Sequence, residues 1–219
     1  MRLFTVNVGE KRTQAKGSEL ETTGIYKVPT SGMIPITLLG ITQDFIGDPR
    51  HHGGPDQAIY IYGTKDYEWW AAEMGRPFEP GTFGENLTVT DLESASVAIG
   101  TRLHVGTVTL EVTAPRIPCS TLARRMADPH FALRYRQAEK PGLYCRVRQV
   151  GATQAGDEVS LEPFEGETIS ALEMFRVHFQ RDQNAAEVRR ILRAPISARA
   201  RASLERALQR RFGEDPSGG

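Results

Sequence analysis

The chain has 219 residues, 39% of them hydrophobic and 25% charged, and its lysines plus arginines equal its aspartates plus glutamates at 27 each. That length carries one well-buried core plus a small appendage. The balanced charge excludes a global field that would draw nucleic acid or an anionic membrane, so neither is expected as a partner.

The start, Met1 to Gly9, has too short an apolar run for a signal peptide. No stretch approaches the roughly 18 apolar residues of a membrane span, and the expected compartment is the cytoplasm. Cys119 and Cys145 are the only cysteines, too few for a disulfide framework, a four-cysteine zinc site or an iron–sulfur cluster.

Up to residue 163 the apolar residues come in short β-branched and aromatic runs punctuated by Gly, Pro and Asp, the pattern of strands. It predicts strands at Leu3–Val8, Ile34–Leu39, Ala58–Tyr62, Arg102–Val105, Val108–Val112, Tyr144–Val150 and Glu158–Leu161, with Gly106-Thr107 as a tight turn. A helix is predicted over Thr64–Met74, where Tyr67, Trp70, Ala71 and Met74 recur at helical spacing and Gly75 and Pro77 end the run. A second short helix is expected over Thr121–Met126.

After Pro163 the period becomes helical. Ser170 with Glu173 forms a capping box, with Ile169 and Met174 as its hydrophobic staple; Asn184 with Glu187 repeats the box, and Ser197 caps a third helix. Leu172, Phe175 and Phe179 share one face of the first helix, Val188, Ile191 and Leu192 of the second, and Leu204, Leu208 and Phe212 of the third. Helices this short bury little alone, so they are expected to pack on the β body. The reading divides the chain into a mainly β domain at 1–163, a three-helix module at 164–213 and a disordered tail at 214–219.

Cys119 lies in Pro115-Arg116-Ile117-Pro118-Cys119 and is followed by Arg124 and Arg125. Prolines hold the thiol in a loop, and arginines favour its thiolate, which is both a nucleophile and a soft metal ligand. Cys145 differs: strand alternation sets it with Val147 on one face and the neighbouring arginines on the other, the place of a small core residue. Two glycine turns could present backbone N–H groups to a ligand. They are His51-His52-Gly53-Gly54-Pro55-Asp56 and Gly81-Thr82-Phe83-Gly84-Glu85-Asn86. Taken singly, each reads more readily as a structural loop. The adjacent His51 and His52 are weak evidence for a metal site, because neighbours on an extended segment point apart.

The ordered set Lys27 to Gly32, His52-Gly53-Gly54-Pro55-Asp56, Gly81 to Leu87, Pro118-Cys119 and Gly142 to Val147 resembles the MOSC domain family in its YiiM-like form. The helices at the C-terminus resemble the three-helix module of that subfamily, so the likeness covers nearly the whole chain. What the resemblance implies is a β-barrel-like MOSC fold and a molybdenum cofactor (molybdopterin) whose metal is bound by a loop cysteine. It also implies reduction of N-hydroxylated small molecules such as 6-hydroxylaminopurine. The motif cysteine falls on Cys119, as catalytic residue and molybdenum ligand, and the motif histidine on His52. Cofactor contacts are expected from Lys27, Ser31, His52, Gly53, Gly54, Asp56, Thr82, Phe83, Gly84, Glu85, Asn86 and Arg116. Thr121 departs from the basic residue expected in many relatives, and Arg124 is the substitute for a contact to the terminal phosphate.

Two competing readings stand beside this one. One is a cofactor-binding or sulfur-transfer module without reductase activity, which the absence of a pyridoxal-dependent desulfurase segment disfavours. The other is a cysteine–histidine hydrolase, which requires His52 within hydrogen-bond reach of Cys119. No flavin-binding glycine fingerprint is present, so electrons are expected from a separate flavoprotein or flavodoxin-like donor. The segment 185–212 holds eight arginines against Glu187 and Glu205, a net +6, and is a candidate docking face for such an acidic carrier.

Overall fold

The computed structural model describes residues 1–180 and 182–213, and of Arg50 and His51 the backbone alone. The expected disordered tail at 214–219 lies outside the described residues, as does the side chain of His51. In chain order the strands are β1 Leu3–Gly9, β2 Arg12–Lys16, β3 Glu19–Thr23, β4 Lys27–Thr30, β5 Ile34–Thr37 and β6 Gly40–Ile41. The one-turn helix α1 Pro49–His52 follows, then β7 Ile59–Gly63, α2 Thr64–Met74, β8 Leu87–Val89, β9 Arg102–Val105 and β10 Val108–Pro115. Next come α3 Ser120–Arg125, α4 Phe131–Ala138, β11 Leu143–Gln149, β12 Gly151–Thr153 and β13 Val159–Glu162. The chain continues through α5 Ala171–Phe179, α6 Ala185–Arg193 and α7 Ala198–Phe212.

Eight strands form one mixed sheet in the order β13-β9-β10-β11-β7-β8-β1-β4, in which β7 and β8 run parallel. The sheet curls back on itself. Leu3 N donates to Asp157 O at 2.8 Å and Val159 N to Met1 O at 3.0 Å, so the start of β1 meets the start of β13. This closure makes the body barrel-like and removes a sheet edge that would otherwise be exposed. A second sheet, β12-β5-β6, lies apart from it, and β2 and β3 pair only with each other.

β7 is buried at all five positions, which explains its unbroken apolar run Ile59-Tyr60-Ile61-Tyr62-Gly63. Trp70 of α2 is fully buried and stacks on Phe131 of α4 at 5.0 Å, with Phe83 at 5.6 Å. Burying an aromatic of this size is worth about 2–3 kcal/mol, and the ring cluster pins α2, α4 and the 81–84 loop together.

The last helices share the core of the sheet. Ala171 N donates to Val97 O and Ser197 N to Thr113 O, and Phe175 and Ile191 are buried in the same apolar cluster as β7 and β10. The Ser170–Glu173 box forms with both bonds in place. The second box forms by half: Asn184 accepts from Glu187 N, while the Glu187 carboxylate instead accepts from Gln180 at 3.4 Å. The third helix also departs from its expected face, because Phe212 is 39% exposed and Leu208 alone is buried in α7. Leu38 and Leu39, expected at the end of a strand, sit in an exposed turn after β5. The periodic pattern gave no sign of the β2–β3 hairpin, whose residues are polar on both faces, or of α4. Among the described residues no helix is long and apolar enough to cross a membrane.

Candidate active site

Three segments bring the site together. β10 ends at Pro115 and leads through Arg116 to Cys119, the residue that caps α3. α1 ends at His52, and Gly53-Gly54 turn the chain so that Gln57 faces the same space. Gly54 has φ +91°, a conformation that a side chain would strain. β7 and β11 then set Tyr60 directly opposite Tyr144, rings 5.1 Å apart, on the face away from Cys145.

Between these segments opens a cleft of about 220 Å³. One water needs roughly 10–15 Å³ by the same measure, so the space suits an organic ligand rather than a single solvent molecule. Cys119, His52, Gln57, Tyr60, Tyr144, Arg116, Lys27, Asp44, Gly84 and Asn86 all contribute to its wall.

Cys119 is partly buried, and burial alone would raise its thiol. A hydrogen bond from His52, the Arg116 and His52 charges and the backbone N–H of Leu122 outweigh that and bring the thiol down to about 5. It is therefore a thiolate near neutrality. Arg116 approaches the sulfur at 3.8 Å, lies over the Tyr60 ring at 5.2 Å and donates to Phe83 O. Burial alone would lower this guanidinium, but Tyr144, Cys119 and Tyr60 hold it above its ordinary range. Its Nε and the Oε1 of Gln57 are buried without a hydrogen-bond partner. Two unpaired polar atoms of this kind are costly unless a ligand meets them.

Lys27 is buried against Asp44, and burial lowers its ammonium while the Asp44 charge opposes that shift. Asp44 also accepts from Gly9 N at 2.7 Å and from Asn86 at 2.9 Å. This pair carries no net charge of its own, and Arg116 and Cys119 lie on the same wall. Among the described residues no group of three or more His, Cys, Asp or Glu side chains could hold a metal. Cys119 stands as a single soft donor.

The family model of the MOSC domain matches residues 48–160, about half of the chain and the part that holds His52 and Cys119. The chain belongs to the MOSC domain family. Uncharacterized protein YflK of Bacillus subtilis (strain 168) is 30% identical over 204 residues, 92% of each chain. A protein of Gibberella moniliformis described as a reductase is 33% identical over 165 residues, covering 73% of this chain and 29% of that protein. The crystal structure of YiiM from Geobacillus stearothermophilus superposes with a TM-score of 0.78 at 28% identity, over 94% of this chain and 98% of that one. This is a YiiM-like MOSC protein in sequence and fold.

Of the MOSC motif residues, Lys27, His52, Gly84, Asn86, Arg116 and Cys119 line the cleft. Tyr144 of the last motif lines it too, and the other expected contacts lie behind the wall or outside the cleft. Glu85 is fully buried and accepts from Tyr67 at 2.5 Å, Gly81 N at 2.6 Å and Thr88 at 2.9 Å, with burial raising its carboxyl. Phe83 belongs to the aromatic cluster, and Thr82 closes its own turn onto Glu79 O at 2.6 Å. Asp56 faces away, pairing with Arg146 at 3.0 Å and accepting from Ala198 N at 2.6 Å, so it ties the His52 turn to α7. Gly53 shapes the turn, and Ser31 is exposed outside the cleft. Arg124 lies behind the wall, paired with Glu21.

Asp44, Gln57, Tyr60, Tyr144 and Glu21 escaped the sequence reading. A lone Asp or Gln in a turn carries no local mark of the partner it meets. Tyr60 and Tyr144 were legible in principle, since β7 and β11 were predicted and their alternation separates these tyrosines from Cys145.

Proposed function

We propose that this MOSC protein is a molybdenum-cofactor-dependent reductase of N-hydroxylated compounds, with Cys119 as the protein ligand to the metal. The observation that carries the reading is the Cys119 thiolate, held near Arg116 in a cleft large enough for an organic ligand. A single soft donor fits a group that brings its own sulfur ligands better than it fits a bare ion. The unpartnered atoms of Arg116 and Gln57 fit the polar edges of a pterin.

In this reading Cys119 holds the metal, while Arg116, Gln57 and Lys27 orient the cofactor. His52 helps to keep the sulfur ionised. When bound, the cofactor supplies two-electron chemistry at open metal positions. The net reaction takes R–NHOH, two electrons and two protons to R–NH2 and water. A substrate of the class of 6-hydroxylaminopurine has a planar ring that the Tyr60–Tyr144 wall can face.

The electrons come from a separate acidic flavoprotein or flavodoxin-like partner. Arg206 and Arg210 are exposed on α7. The first turn of that helix is tied to the His52 turn by Asp56, and Arg199 acts on Tyr144 of the cleft. Arg190 and Arg193 contribute less, since Glu173 and Glu167 pair with them.

One observation favours a second reading, a cysteine–histidine hydrolase: His52 and Cys119 line the same cleft, and His52 helps to lower the thiol. Molybdenum analysis of the protein from cells able to make the cofactor separates the two readings, because only the reductase retains the metal. A cofactor-binding module without reductase activity would retain metal and fail to turn over 6-hydroxylaminopurine.

A further inference from the structure

The β2–β3 hairpin forms one side of the cleft through Lys16, Glu21, Thr22 and Thr23, yet it pairs with no other strand. Its residues are mostly exposed, and a two-stranded hairpin alone is marginal in water. What holds it is the opposite wall. Glu21 is the convergence point: its carboxylate accepts from Gln14 at 2.8 Å, from Thr121 at 3.3 Å and from Arg124, with Lys16 at 3.4 Å.

Thr121 and Arg124 both belong to α3, the helix that Cys119 caps. The next residue, Arg125, lies over Tyr26 at 4.9 Å and donates to Thr82 O at 2.6 Å, while Tyr26 donates to Gln14 at 3.1 Å. The hairpin, α3 and the 81–82 turn are thus clamped by adjacent arginines one helical turn from the thiolate.

We propose that Glu21 is a size-selecting residue of this site: its pairing with Arg124 fixes the β2–β3 hairpin as the outer wall of the cleft and limits how large a molecule reaches Cys119. Side-chain exposures of 19% for Glu21 and 28% for Arg124 place the pair between surface and interior, where it is screened less than an open surface pair. Because Arg124 is already neutralised by Glu21, an anion that takes Arg124 removes the charged tie between α3 and the hairpin and loosens it. Anion binding and widening of the cleft are therefore one event. This inference does not depend on which reaction the site performs.

The test is thiol accessibility in the cofactor-free full-length chain, reading the rate at which Cys119 reacts with a bulky biotinylated iodoacetamide and with iodoacetamide itself. The ratio of the two rates cancels the thiolate fraction and reports the opening alone. Glu21→Gln and Arg124→Gln should each raise the bulky-to-small ratio about fivefold, the scale of losing a partly buried ion pair. Inorganic pyrophosphate should raise it in the wild type and leave Arg124→Gln unchanged. The charge-exchanged double variant Glu21→Arg with Arg124→Glu should restore the wild-type ratio, an outcome that a merely unfolded hairpin would not give. A ratio unchanged in both single variants, or a double variant no better than either single one, would overturn the proposal.

Discussion

His52 and Cys119 line the same cleft, and the two residues arrive from segments 67 positions apart in the chain. The imidazole and Arg116 together outweigh the burial that would otherwise keep the sulfur protonated. Alkylation of the cofactor-free protein should therefore follow a titration centred near 5. In His52→Ala only Arg116 and the Leu122 N–H remain, and the midpoint should rise by about 1–2 units, the usual influence of one close charge. A midpoint unmoved by the substitution would show that His52 has no electrostatic hold on the sulfur.

Cys145 should behave as core. It is fully buried on β11, opposite Ile59, and burial pushes its thiol well above the ordinary value. Native protein should resist alkylation there, and Cys145→Ala should cost about 1–2 kcal/mol in denaturant melts while the Cys119 titration stays unchanged.

Asp66 sets a pH dependence outside the cleft. Burial raises its carboxyl from 3.8 to about 6, against the bonds from Ser94 and Gly63. The unfolded chain loses that proton first as pH rises, so Asp66 subtracts stability progressively between pH 3.8 and 6 and by a constant amount above. Asp66→Asn keeps an acceptor for Ser94 N and fills the place of the partnerless Oδ1. Its melting temperature should be flatter across this window and higher than wild type at pH 8, by the equivalent of about 1–3 kcal/mol. Parallel pH curves for the two proteins would remove Asp66 as the source.

Electron delivery should depend on salt if an acidic protein docks on α7. Screening shortens from about 10 Å at 0.1 M to about 3 Å at 1 M, so turnover driven by a flavodoxin-like donor should fall across that range. Turnover driven by a small chemical reductant should not. Charge reversal at Arg206 and Arg210 should mimic high salt for the protein donor alone. Equal responses of both donors would leave these arginines as ordinary surface.

The legible parts of the fold were those with a local physical signature. β7 announces itself as an apolar run because both of its faces are buried, β10 alternates apolar and polar residues, and α2 matches its predicted span of Thr64–Met74 because Gly75 takes the left-handed cap that ends it. Alternation on β11 separated Cys145 from the loop cysteine without any structure. The β2–β3 hairpin left no such mark, because its ties to α3, Glu21 to Arg124 among them, span up to 103 positions of the chain. Asp44 is the same case, its place set by Lys27, Gly9 and Asn86 together. For Asp56, Thr82, Phe83 and Glu85, the motif names loops that border the cleft, while the side chains turn inward or toward α7. A motif names the backbone that must be shaped, and only tertiary packing decides which of its side chains reach the cavity.

The most direct test of the account is molybdenum content per chain after purification from cells able to make the cofactor, measured beside reduction of 6-hydroxylaminopurine. The account predicts about one molybdenum per chain and turnover in the wild type, with both lost in Cys119→Ala while the melting temperature of the cofactor-free protein stays close to wild type. Wild-type protein that carries no molybdenum, or a Cys119→Ala protein that keeps the metal and still reduces the N-hydroxyl group, would contradict it.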